Sequence, residues 1–191
     1  MKKLVTAFLF VCGAAAAQAQ TTWTIDKIHS KVGFSAVHMI VAETEGKFDE
    51  FDGTVISKKD DFDGAEVSFT AKVASINTEN ERRDGHLKSD DFFNAEKFPE
   101  VKFTGTLTKA GGKYLLKGKL TMRDVTKDVV FDVNYGGSVE TGRGVKAGFK
   151  FTGTINRQDF GLKFASTFAD GKAVVGNDVT IICKIELDKK A

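Results

Sequence analysis

Apolar and polar residues take alternate positions over most of the chain, and this period of two constrains the fold more than anything else in the sequence. In AEVSFTAKVASI, Val67, Phe69, Ala71 and Val73 share one face, while Ser68, Thr70 and Lys72 share the other. EVKFTGTLTK groups Val101, Phe103, Gly105 and Leu107, and KYLLKGKLTM groups Tyr114, Leu116, Gly118 and Leu120. DVVFDVNY aligns Val129, Phe131, Val133 and Tyr135. GVKAGFKFTGTI aligns Val145, Ala147, Phe149, Phe151, Gly153 and Ile155, and NDVTIICKIEL aligns Val179, Ile181, Cys183, Ile185 and Leu187. Near the start, KVGFSAVH aligns Val32, Phe34, Ala36 and His38, and FDGTVIS adds a less regular strand. Such strands have one dry side and one wet side. The pattern predicts about eight antiparallel strands, with turns at Gly111-Gly112 and Gly136-Gly137. No βα alternation, heptad or linker accompanies them. The fold class is therefore all-β, and sheets of this kind close into a barrel or stack as a sandwich.

The dry faces leave two readings open. Ala36, Ala71, Gly105, Gly118, Ala147 and Gly153 sit among large Phe, Leu and Val residues. Interdigitation of large and small side chains would give a filled core. A hollow is the alternative, because eight strands enclose just enough space for one small ligand. The 17 Phe and 19 Gly, against one Pro, suit an interior that is apolar yet incompletely filled. Few charges fall on the inner faces, so a guest would be apolar. Strands of roughly ten residues give a tube ~30 Å long, which favours an elongated guest.

The first residues, MKKLVTAFLFVCGAAAAQAQ, pair two lysines with a short apolar run ending in Ala17-Gln18-Ala19. This is the pattern of a secretory signal cleaved after Ala19, and its apolar run is too short to span a bilayer. Val11 before Cys12 disfavours a lipoprotein. Residues 1–19 are thus expected to be a leader and residues 20–191 one exported domain. Loss of Lys2 and Lys3 reduces the 28 Lys and Arg to 26, equal to the 26 Asp and Glu, so charge offers nothing to attract a nucleic acid. Cys183 becomes the single cysteine and has no partner for an intramolecular disulfide. At its inward position in an Ile-rich strand it reads as a small buried hydrophobe.

One stretch does not alternate. RRDGHLKSDDFFNAEKFPEVKF, residues 82–103, follows Thr78 and Glu81, which have capping-box spacing and predict a short helix starting at Thr78. Glu79, Arg82, Arg83 and His86 would share a helix face, with Glu79 pairing Arg83. Phe92, Phe93 and Phe98 supply an apolar side and Pro99 ends the excursion. The expectation is a helical cap between two strands, lying across a barrel mouth.

WTIDKIHSKVGFSAVH, SINTENERRDGHLKSDDFFNAEKFPEVKF and INRQDFGL, in this order, resemble the YceI-like family of periplasmic polyisoprenoid-binding proteins from about Trp23 to the last strand. The resemblance implies a lipocalin-like, eight-stranded antiparallel barrel around a long apolar chain. Implied guests are polyprenyl phosphates, isoprenoid quinones, or fatty acids and their amides. It further implies no catalysis, no cofactor beyond the bound lipid, a homodimer in some members, and transient contact with the membrane or envelope proteins. On this reading Phe34, Phe69, Phe92, Phe103, Phe131, Phe149 and Phe151 are the candidate ligand-binding wall. Arg82 and His86, with Arg83 and Lys88, are candidates for a headgroup at the rim, or else members of a solvated helix face. Arg157 and Asp159 are expected to pair and brace the barrel.

Catalytic and metal motifs are weak. His29, His38 and His86 lie on separate elements with no His-x-x-x-His or Cys-x-x-Cys spacing. Asp60-Asp61 and Asp90-Asp91 are adjacent acids, which on a strand point to opposite faces, and no nucleophile elbow or phosphate loop is present. The remaining alternative to a lipid carrier is a structural or interaction module of the envelope with a filled barrel.

Overall fold

The computed structural model describes residues 20–190. The expected leader, residues 1–19, lies outside the described residues. Eleven strands form one antiparallel sheet: β1 (Thr21–Ile25), β2 (Lys31–His38), β3 (Ala42–Phe48), β4 (Phe51–Ser57), β5 (Glu66–Lys72), β6 (Ile76–Asn77), β7 (Glu100–Ala110), β8 (Lys113–Met122), β9 (Val125–Thr141), β10 (Gly144–Asn156) and β11 (Val175–Lys189). Helix α1 (Glu81–Lys88) lies between β6 and β7.

The eleven strands make eight staves. β11 pairs β10 along one edge; along its other edge it pairs β2 up to Lys184 and β1 from Leu187. β4 pairs β1 while β3 pairs β2, and β5 pairs β4 while β6 pairs β3. Thus β1 with β2, β3 with β4, and β5 with β6 are each one long stave broken once. The ring closes where the first stave meets β11, giving the expected closed eight-stranded barrel. Closure removes the exposed edges that an open sheet would present.

The breaks have local causes. Asp26 Oδ1 accepts the amides of Ile28 and His29, turning the chain out of the sheet between β1 and β2. Between β3 and β4 the Glu50 amide donates to Ser75 Oγ at 2.9 Å, and Ser75 ends the 3₁₀ turn Val73–Ser75 that separates β5 from β6. Gly111-Gly112 forms the expected β7–β8 turn, with both residues at positive φ. Gly136-Gly137 does not form a turn. β9 runs through it, the register shifts opposite Gly148/Phe149, and the chain reverses after Thr141. A glycine pair with one residue at φ 101 serves equally as a bulge, which bends the sheet without ending the strand.

The barrel is shut at the end holding the β7–β8 and β9–β10 turns. Residues 58–65 fold beneath it, and the amides of Gly64 and Leu107 bond the carbonyls of Leu107 and Ala65. This carries Phe62, 1% exposed, into the base, with ring centroids 5.0 Å from Trp23, 5.0 Å from Phe149 and 5.6 Å from Tyr135. Tyr114 Oη donates to the Asp61 carbonyl at 2.8 Å. Phe62 sits at φ 60, a conformation an aromatic residue holds only when packing compels it. Phe62→Ala should cost about 3–5 kcal/mol in a urea titration, as expected for loss of a buried aromatic; a loss below about 1 kcal/mol would show that the base is held some other way.

Candidate functional site

The inward parity of the strands builds a single continuous wall. It surrounds a cavity of about 210 Å3, larger than the ~150 Å3 apolar void that takes up benzene in a protein core. Phe34, Phe69, Phe92, Phe103, Phe131, Phe149 and Phe151 all line it. Aliphatic residues fill the spaces between them, among them Val32, Val101, Leu116, Leu120 and Ile181. Among the described residues, the only polar ones contributing are Thr54, Ser68, Cys183 and Arg157. Burial pushes the Cys183 thiol up to about 12, so it stays protonated at neutral pH and acts as a small apolar group.

The small inward residues decide between filled and hollow. Phe103 lies over the paired Gly105 and Gly118, where an added Cβ on either residue would come within 2.6 Å of the ring tip. A Cβ on Gly153 would stand 2.6 Å from Phe131 Cδ1, and one on Gly46 would run into the Phe34 ring. The glycines are therefore seats. Each lets a ring lie down against the wall, which leaves the axis of the barrel clear.

The other end is closed by the segment that breaks the alternation. Its helix, α1, begins at Asn80, whose side chain accepts the Arg83 amide. The Thr78 start expected from spacing is displaced because Glu79 takes φ 61 and interrupts the helix path. Thr78 instead ties the helix down, its amide donating to Asp84 Oδ1 at 2.9 Å. Arg83 turns to Thr78, with Nε on Oγ1 at 2.7 Å and Nη2 on the carbonyl at 2.6 Å, and so does not pair with Glu79. Leu87, Phe92 and Phe93 face the cavity from this lid. Arg82 and His86 do not join them: both are exposed on its outer side, where His86 Nε2 meets Asp91 Oδ2 at 2.8 Å and its ring stands edge-on to Phe92 and Phe164.

One arginine fastens the lid and a second packs beneath it. Arg123, from the β8–β9 turn, donates through Nη1 to the carbonyls of Asp90 and Phe92 at 2.8 Å each, and through Nη2 to Asp90 Oδ1 at 2.7 Å. Nothing in the sequence marks Arg123, because its partners are carbonyls far along the chain. Arg157, only 3% exposed, sits below with its guanidinium 5.7 Å from the Phe92 ring centroid. The expected pairing with Asp159 does not form. Asn156 caps the 3₁₀ turn Arg157–Phe160, which sends Arg157 inward and leaves Asp159 exposed. Arg157 donates instead from Nε to Gly176 O at 2.9 Å, from Nη1 to Leu162 O at 3.1 Å, and from Nη2 to Val175 O at 3.3 Å and Asn177 Oδ1 at 3.1 Å. Burial lowers its pKa.

The histidines stay on separate elements. Asp26, His29 and Glu186 approach one another closely enough to suggest a metal site. Lys146 already occupies the centre of that group, with Nζ 2.8 Å from Asp26, 2.8 Å from Glu186 and 2.7 Å from Asp188. Hydrogen bonds from Lys146 and His29 hold the Asp26 carboxyl far below its usual value. Three of the four adjacent acids are likewise engaged: Asp61 with Lys109, Asp90 with Arg123 and Asp91 with His86. They face no common cleft.

Comparison with known proteins agrees with this architecture. A family model described as the YceI-like domain matches residues 23–187. The UPF0312 protein SAS2572 of Staphylococcus aureus is 36% identical over 162 residues, 83% of this chain and 92% of that protein. The crystal structure of the Campylobacter jejuni YceI protein is similar at 33% identity with a TM-score of 0.69, covering 88% of this chain and 98% of that one. At 14% identity, a polyisoprenoid binding domain from Saccharophagus degradans shares the fold, with a TM-score of 0.66 over 88% of this chain and 98% of its own.

Two outcomes follow. Gly153→Ala displaces the Phe131 ring into the lumen; it should destabilise the fold by about 1–3 kcal/mol in urea and reduce uptake of an apolar dye, whereas unchanged uptake would refute the seat. His29 Nδ1 lies 2.8 Å from Asp26 Oδ2, which raises its pKa above 6.5. A raised folded value means that this pair supports the fold fully below about pH 6.5 and fades as pH climbs through the folded value. Proton NMR should place the His29 midpoint above 6.5, and Asp26→Asn should bring it back down.

Proposed function

The chain belongs to the YceI-like family, and from that footing we propose that it is a binding and carrier protein for a long-chain amphiphilic lipid of isoprenoid or acyl type. The observation that carries this reading is the apolar hollow itself, walled along its length and covered at both ends. Each methylene of a guest buried there contributes about 0.8 kcal/mol before the cost of ordering the chain, so a long tail suffices for useful affinity. The polyisoprenoid binding domain of Saccharophagus degradans, which shares the fold, points to the same class of guest. The polar residues along the wall are too few and too scattered for a catalytic constellation, and the reading is binding without conversion. Export through the leader and a periplasmic site of action complete the proposal.

A carrier has to meet a membrane or another envelope protein to exchange its cargo. Val37, Met39, Ile40 and Val41, around the β2–β3 hairpin tip, are exposed, with Met39 and Ile40 at φ 52 and 67. A β-branched residue held in that region marks a tip kept in one shape, and this favours the hairpin as the contact. The filled-barrel alternative finds no support in an open interior.

Protein purified from its native host without delipidation should release a long-chain species into organic solvent, read by mass spectrometry; repeated absence of any such species would contradict the reading. Phe151→Asp, which sets a carboxylate against hydrocarbon, should lower the recovered lipid by roughly tenfold or more while circular dichroism stays that of a barrel.

A further inference from the structure

Arg157 brings a full positive charge to an apolar enclosure. It lines the cavity, it is 3% exposed, and each of its four hydrogen bonds ends on a neutral oxygen. A guanidinium has five N–H donors. One Nη1–H is therefore left without an acceptor, and no carboxylate pairs with the group, among the described residues. Buried charges are ordinarily compensated, because a desolvated charge standing alone is costly. No second cation lines the cavity among those residues.

We propose that Arg157 is the polar anchor of the cavity and selects a long-chain lipid whose head carries one negative charge, a fatty-acid carboxylate. The proposal rests on the reading of the hollow as a lipid site and narrows it. One carboxylate gives the open Nη1–H an acceptor and cancels the guanidinium charge, so the occupied cavity is neutral. A phosphate monoester brings roughly −1.5 to −2 and a diphosphate more. Such heads find no second cation here, and the bidentate fork they use is unavailable because the other donors are committed. A neutral alcohol or amide accepts the hydrogen bond but leaves the charge uncancelled. The guest lies with its head under the lid, beside Phe92 and Leu162, and its tail towards the Phe62 base.

The test titrates delipidated protein with oleate, oleamide and geranylgeranyl diphosphate by calorimetry. Oleate and oleamide share a tail and differ by one charge. The unaltered protein should bind oleate roughly ten- to a hundredfold more tightly than oleamide, the range of a hydrogen bond to a charged group, and more tightly than the diphosphate. Arg157→Lys should keep the preference for oleate over oleamide, and Arg157→Gln should abolish it. Equal binding of oleate and oleamide, a preference surviving in Arg157→Gln, or tighter binding of the diphosphate would overturn the anchor. Should Arg157→Gln fail to fold, the comparison on the unaltered protein still decides. Equal affinity for all three removes the anchor alone, while no binding of any removes the lipid site with it.

Discussion

The barrel keeps its hollow where three inward aromatic rings rest on glycine. An eight-stranded ring has little interior to spare, and side chains reaching the axis would fill it. Here Gly105 and Gly118 lie beneath Phe103, Gly153 beneath Phe131 and Gly46 beneath Phe34, so those rings line the tube instead of crossing it. Glycine weakens a strand, and rings packed over it recover contact while covering its bare backbone. Wall stability and open space thus come from the same pairs of residues.

The two ends are closed by different means. At the base Phe62 is locked among Trp23, Tyr135 and Phe149 by apolar packing. At the lid the closing groups are polar ties: Arg123 on the carbonyls of Asp90 and Phe92, and Arg83 on Thr78. Packing of the first kind is lost only with the fold. The β3–β4 and β5–β6 breaks meet each other, where Ser75 Oγ accepts the Glu50 amide.

The strands and their inner faces were legible because period two survives any tertiary arrangement, and all six Phe placed inward by parity stand in the cavity wall, joined by Phe92 from the cap. Gly136-Gly137 misled because a glycine pair suits a bulge as well as a turn, and only the β10 partner decides between them. Thr78 misled because the capping-box spacing ignores backbone conformation, and Glu79 at φ 61 moved the cap to Asn80. Phe62 and Arg123 left no sequence signal, since each acts through residues remote in the chain. Arg157 was seen as structural, but its true partners are carbonyls, which no residue pattern reveals.

A crystal structure of the protein isolated with its native lipid tests the central claim most directly. The account predicts one elongated guest along the axis, between Phe62 and the Leu87–Phe92–Phe93 lid, with the rings of Phe103 and Phe131 down on their glycines. Rings meeting across an empty axis, with no guest in repeated preparations, would contradict it.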